Sequence, residues 1–264
     1  MNASRRHCPG RAARWQPRAG AALLLALLAA PAAAQAPDWR AAAPALPLRG
    51  PQRPITTPVA IGGAGWGPWR HICREQTDRP GRAPTRDCLT VAAVQPEPGG
   101  TRLVLVQDRT GLRMSVLRGT EGRISEFTAL RADGTALPHD EVRDGLLAAW
   151  RDQFATLSLE RRRIVVGEDF PMAIDGSSRG GVCRAAGLDA IAQRAVLVAR
   201  CAVELAGRLR GGDSEARVAI FAHIAVDVAS GVVLAQGYAT RIETFTGNGR
   251  SKGVVVTPSR VILE

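Results

Sequence analysis

The chain has 264 residues, 45% of them apolar and 4% aromatic, which excludes an intrinsically disordered protein and suits one or two compact domains. No triplet or sustained heptad period runs through it, so a collagen-like or coiled-coil rod is excluded as well. The formal charge of +11 rests almost wholly on arginine, Lys252 being the one lysine; five of these charges precede an apolar run near the N-terminus, and the +6 left without them reads as a modestly basic surface with no nucleic-acid partner.

The N-terminal segment reads as an export signal. Arg5, Arg6, Arg11, Arg14 and Arg18 lie ahead of the unbroken small and apolar run Ala19 to Ala30, and Ala32 and Ala34 form an Ala-x-Ala exit. Twelve residues of helix rise roughly 18 Å against a ~30 Å hydrocarbon core, so no transmembrane anchor is expected. Cys8 precedes the apolar run, which leaves no lipoprotein cysteine at the cleavage site. The expected organisation is a signal peptide over 1–34, a proline-rich flexible arm over 35–64 and a single domain over 65–264. The arm holds six of the seventeen prolines. The expected location is the bacterial periplasm or the medium.

Export leaves four cysteines, Cys73, Cys88, Cys183 and Cys201, an even number in an oxidising compartment. Three connectivities are open. Pairing the neighbours in sequence, Cys73 with Cys88 and Cys183 with Cys201, closes short segments between predicted strands, and each such loop stabilises by roughly 3 kcal/mol. A zinc site on His71-x-Cys73 lacks any second pair at ligand spacing.

The glycine-rich stretch Ile61 to Trp69 resembles a dinucleotide loop only in composition, since Pro68 stands where a helix would begin. Trp66 and Trp69 are expected to plug the edge of the core. Strands follow at 69–75, 88–95, 101–108, 112–118 and 122–131, separated by short Gly-containing breaks that join antiparallel neighbours. The period then changes. Val142, Leu146, Ala149, Trp150 and Phe154 share one face of a helix expected over 139–154, with Pro138 and Asp140 at its start. Strands return at 163–166, 170–174, 215–228, 232–246 and 253–263. Residues 188–209 fit both a helical stripe and a strand face, and strand is favoured for 194–206.

The order helix 139–154, then Ile164 to Phe170, then the hairpin Val226 to Val232 resembles uncharacterised exported bacterial α+β domains. Those domains carry a V-x-x-G-D/E-x-aromatic segment and an x-D-x-x-S/T-G hairpin around a curved antiparallel sheet. The similarity spans roughly residues 100–246. It implies an α+β fold and an envelope location, and it brings no catalytic residues. The expected fold is therefore α+β, a curved, mostly antiparallel meander sheet packed against one main helix.

Motifs for chemistry are sparse. No Gly-x-Ser-x-Gly elbow, His-Glu-x-x-His helix or Walker loop occurs, and Gly247 to Gly253 lacks the Gly-Lys-Ser/Thr end of a phosphate loop. Ser177 and Ser178 lie in a glycine-rich stretch and define a serine-hydrolase alternative. His223 alternates with Phe221 and Asp227 on one strand face, and Gln236 or Tyr238 is expected opposite it across the hairpin. Both faces of strand 215–228 are largely apolar, so one can pack on the Trp150 helix while the other needs a second cover. The expected function is a non-enzymatic exported protein without cofactor or metal. It binds an apolar ligand such as a lipid, or an envelope protein, in the sheet concavity, with His223, Gln236 and Tyr238 as candidate ligand-binding residues. A purely structural role, with the arm as tether, is the other non-catalytic possibility.

Overall fold

Alternating apolar residues separated by short turns dominate the chain after the arm, and they fold as strands nearly throughout. The computed structural model describes residues 38–63, 65–77, 82–138, 140–172, 181–208 and 215–264. A 3-10 turn (Trp39–Ala42) is followed by β1 (Val59–Ile61), β2 (His71–Gln76), β3 (Thr85–Glu97), β4 (Gly100–Gln107), β5 (Arg113–Gly119) and β6 (Ile124–Leu130). Then come the helix α1 (Glu141–Ala155), β7 (Arg162–Ile164), β8 (Asp169–Met172), β9 (Gly181–Ile191) and β10 (Arg194–Arg208). The hairpins β11 (Glu215–Asp227), β12 (Val233–Phe245) and β13 (Ser251–Leu263) complete the chain.

One eleven-stranded antiparallel sheet runs β6-β5-β4-β3-β2-β13-β12-β11-β10-β9-β8, and β1 pairs separately with β7. Two meanders, β2 to β6 and β8 to β13, are thus joined where β2 pairs with the C-terminal strand β13, from Ile72 opposite Leu263 to Gln76 opposite Ser259. This corrects the α+β expectation. Among the described residues the fold is nearly all β, and the one α-helix there, of 15 residues, is not a layer. Eleven strands at ~4.8 Å spacing span roughly 50 Å, whereas such a helix is only ~22 Å long and ~10 Å wide. The implication drawn from the exported α+β domains fails on the same ground.

Cover comes instead from irregular segments. On the face carrying α1, Trp66, Trp150, Phe154, Leu157 and Leu159 are buried with the inward residues of both meanders in one apolar cluster. Trp66 stacks on Phe154 at 5.6 Å between ring centroids. Gly62 and Gly63 bring that loop against the sheet, because a Cβ on either would overlap the carbonyls of Ala229 and Thr120 respectively. The glycine-rich stretch therefore serves close backbone packing.

On the opposite, outer face the proline-rich arm, expected to be flexible, lies against β12 and β13. Its 3-10 turn rests on β12 and β13, and Gly237 leaves room for the Pro44 carbonyl. Arg53 exchanges backbone hydrogen bonds with Leu188 at 2.8 and 2.9 Å, and Arg49 N donates to Ala190 O. The arm thereby also closes the part of β9 that the short β8 leaves open, where a bare edge would invite pairing with another chain.

Candidate functional site

The two disulfides form as expected, Cys73 with Cys88 across β2 and β3, and Cys183 with Cys201 across β9 and β10, each between directly opposite residues. Cys73 is therefore not a zinc ligand. Among the described residues no group of three His, Cys, Asp or Glu side chains is placed to hold a metal. Ser177 and Ser178 lie outside the described residues.

His223, Gln236 and Tyr238 do not meet. The register shifts by one residue between Ala225 and Val226, which places His223 opposite Gly237 and not opposite Gln236. A one-residue slip moves a side chain to the other face of a sheet. His223 consequently lies on the outer face, half-buried, edge-on to Phe221 with ring centroids 4.8 Å apart. Burial, then the neighbouring Arg200 charge, hold its pKa below the usual histidine value. Gln236 and Tyr238 share the inner face. Gln236 is buried, and its Nε2 donates to Thr156 Oγ1 at 2.9 Å, tying β12 to the residue that follows α1. Burial pushes the Tyr238 phenol upward, opposed by Arg74 and by a hydrogen bond with Ser259.

On the same inner face, α1 and β6 enclose a groove of about 450 Å³. Phe127, Thr128 and Ala129 of β6 form its floor. Ala136, Leu137 and Pro138 form one lip, with Leu137 N donating to Ala129 O and tying the lip to the strand end. Asp144, Leu147, Ala148 and Arg151 of α1 form the wall. The spacing i, i+3, i+4, i+7 sets these four on one helical face. Leu147 and Phe127 are half-buried and pack on the main cluster, and the Phe127 ring lies 6.1 Å from that of Phe154. The ring series Trp66, Phe154, Phe127 leads from the core to the floor of the groove. Phe127 gives the floor an aromatic ring backed by core, Asp144 and Arg151 put charge on the wall beside Leu147 and Ala148, and the volume falls within the ~300–1,000 Å³ range of small-ligand pockets.

Sequence reasoning missed this groove, since its walls come from elements whose docking depends on non-local packing. It also missed Arg118. This β5 side chain is 1% exposed. Its Nε donates to Ser158 Oγ at 2.9 Å, Nη1 to Gly65 O at 2.9 Å and to Gly63 O at 3.4 Å, and Nη2 to Ser230 O. Burial lowers its pKa to about 10, with Asp227 opposing. Asp227 is itself buried. It accepts from Arg194 Nη2 at 2.7 Å, from Ser230 N at 3.0 Å and from Ser230 Oγ. The Asp-x-x-Ser-Gly turn of the β11–β12 hairpin is thus a relay from the Arg194 guanidinium to Arg118. Gly231, with φ 69°, completes that turn.

No protein-family model matches the chain, and no curated protein matches it either. Among the described residues no helix is long and apolar enough to cross a membrane.

Proposed function

We propose that the chain is exported to the bacterial envelope with residues 1–34 removed, and that it there binds a small apolar ligand, such as a single acyl chain, in the groove between α1 and β6. The observation that carries this reading is the aromatic floor at Phe127, continuous with the core through Phe154 and open beside Leu147 and Ala148. A surface of this kind gains by burying an apolar ligand, at about 25 cal/mol per Å² removed from water. The pair of disulfides suits an oxidising compartment such as the periplasm. The groove lies on the face that carries α1, away from His223, the residue beside which the sequence reading expected the ligand, and Gln236 braces the end of α1.

Fluorescence titration with the acyl-chain probe cis-parinaric acid tests the proposal. Wild-type protein should bind it saturably. Ala148→Trp, which fills the groove from the half-buried helix wall, should weaken binding at least tenfold while the protein still unfolds cooperatively. His223→Ala should leave binding unchanged. Equal binding by wild type and Ala148→Trp would overturn the assignment of the groove.

A further inference from the structure

The two disulfides have different surroundings. Cys183–Cys201 faces the interior: its sulfur-bearing residues are 0% and 2% exposed, and Phe170 of β8 stands directly opposite Cys183. Cys73–Cys88 lies on the outer face, where alternation along β2 and β3 places it among polar side chains. His71 and Thr90 form the neighbouring pair on one side, and Glu75 and Arg86 on the other. His71 and Arg86 are exposed and Cys88 is half-buried, while Cys73 is 3% exposed.

A cation is held against one sulfur alone. Arg86 Nη2 donates to Cys73 Sγ at 3.3 Å. The same guanidinium is anchored by Glu75 Oε1 at 3.1 Å and Glu264 Oε2 at 2.7 Å, and Arg260 holds Glu75 from the far side at 3.1 Å through Nε. Two carboxylates, one of them held in turn by Arg260, thus fix Arg86 in place beside the bridge. In thiol–disulfide exchange the sulfur that leaves as the better-stabilised thiolate leaves faster.

We infer that Cys73–Cys88 is an exchange site for a dithiol reductant, with Cys88 the attacked sulfur, Cys73 the leaving thiolate and Arg86 the group that stabilises it, while Cys183–Cys201 is a closed structural bridge. The reductant's thiolate forms a bond to Cys88 Sγ as the Cys73–Cys88 bond breaks. The electron pair goes to Cys73 Sγ, which accepts the Arg86 N–H. The second thiol of the reductant, once deprotonated, attacks the mixed disulfide and releases Cys88 as a thiolate that takes up a proton. The reductant is oxidised to its own disulfide, and the β2–β3 bridge is reduced to two thiols. The consequence falls on the seam of the sheet, because β2 is the strand through which the first meander pairs with β13.

The test uses the folded, oxidised protein. A timed exposure to dithiothreitol, quenched with iodoacetamide and read by peptide mapping, should label Cys73 and Cys88 roughly tenfold or more ahead of Cys183 and Cys201. A pulse of reduced glutathione should leave glutathione on Cys88 and a free thiol on Cys73. Arg86→Ala should slow the exchange several-fold and move the alkylation of Cys73 to higher pH, and Arg86→Lys should retain most of the wild-type rate. Equal reduction of both bridges, glutathione on Cys73, or an unchanged or faster exchange in Arg86→Ala would each overturn the inference.

Discussion

Arg118 illustrates how a single side chain joins segments distant in sequence. Four hydrogen bonds from its buried guanidinium reach Gly63, Gly65, Ser158 and Ser230 of the β11–β12 turn. Lysine keeps a charge there but has no planar fork, so several buried acceptors lose their donor. Arg118→Lys should therefore destabilise the fold by about 3 kcal/mol, since each stranded buried group costs ~1–3 kcal/mol. Urea unfolding checks this: the midpoint should fall with little change in slope, and a midpoint equal to wild type would remove Arg118 from its structural role. His223 carries a pH dependence of definite sign. Burial keeps its pKa below the unfolded value of 6.5. Above that pH both states are neutral and the residue contributes no pH dependence. Below it the unfolded chain takes up a proton that native His223 resists, so stability declines as the pH falls through and below about 6.5. His223→Gln should flatten this part of the stability profile, measured as melting temperature between about pH 7 and 5. An identical profile in the variant would place the titrating group elsewhere.

At the scale of elements, most strands were legible in the sequence, because alternation and glycine-bearing turns are local signals. The hairpin at Ala229 to Gly231 and the helix around Trp150 both stand where these signals put them. The connection of β9 to β10 was not legible, which left 188–209 ambiguous and most of β9 unassigned. Its two turn residues are Ala192 and Gln193, with φ values of 45° and 68°. A two-residue hairpin turn with positive φ at both positions is ordinarily marked by Asn or Gly, and neither is present. The bulge at Ala225 and Val226 was hidden for a related reason: nothing in an alternating apolar strand marks the position where one extra residue slips in. That slip alone separated His223 from Gln236 and Tyr238. Proline content suggested a mobile arm, but Leu46, Leu48 and Ile55 within it supply apolar contacts, and the exposed edge of β9 supplies hydrogen-bond partners.

At the scale of the molecule, the sheet brings the two ends of the domain together, with β2 and β13 paired at its centre and the arm strapped over one face. The α+β expectation fails at this scale because one well-marked helix does not make a layer over an eleven-stranded sheet, where loops and the arm also pack. The disulfides were legible from spacing, since each closes a single hairpin-sized segment. The groove was not, because Phe127 and Ala148 are brought together only by the docking of α1 on β6. An apolar ligand held in this groove should survive gentle purification. Native mass spectrometry of wild-type protein and Ala148→Trp, each purified from envelope extract, tests it most directly. Wild-type protein with processed N-terminus should retain a small apolar molecule that the variant loses; unliganded wild-type protein, or the same adduct on both, would contradict ligand binding in the groove.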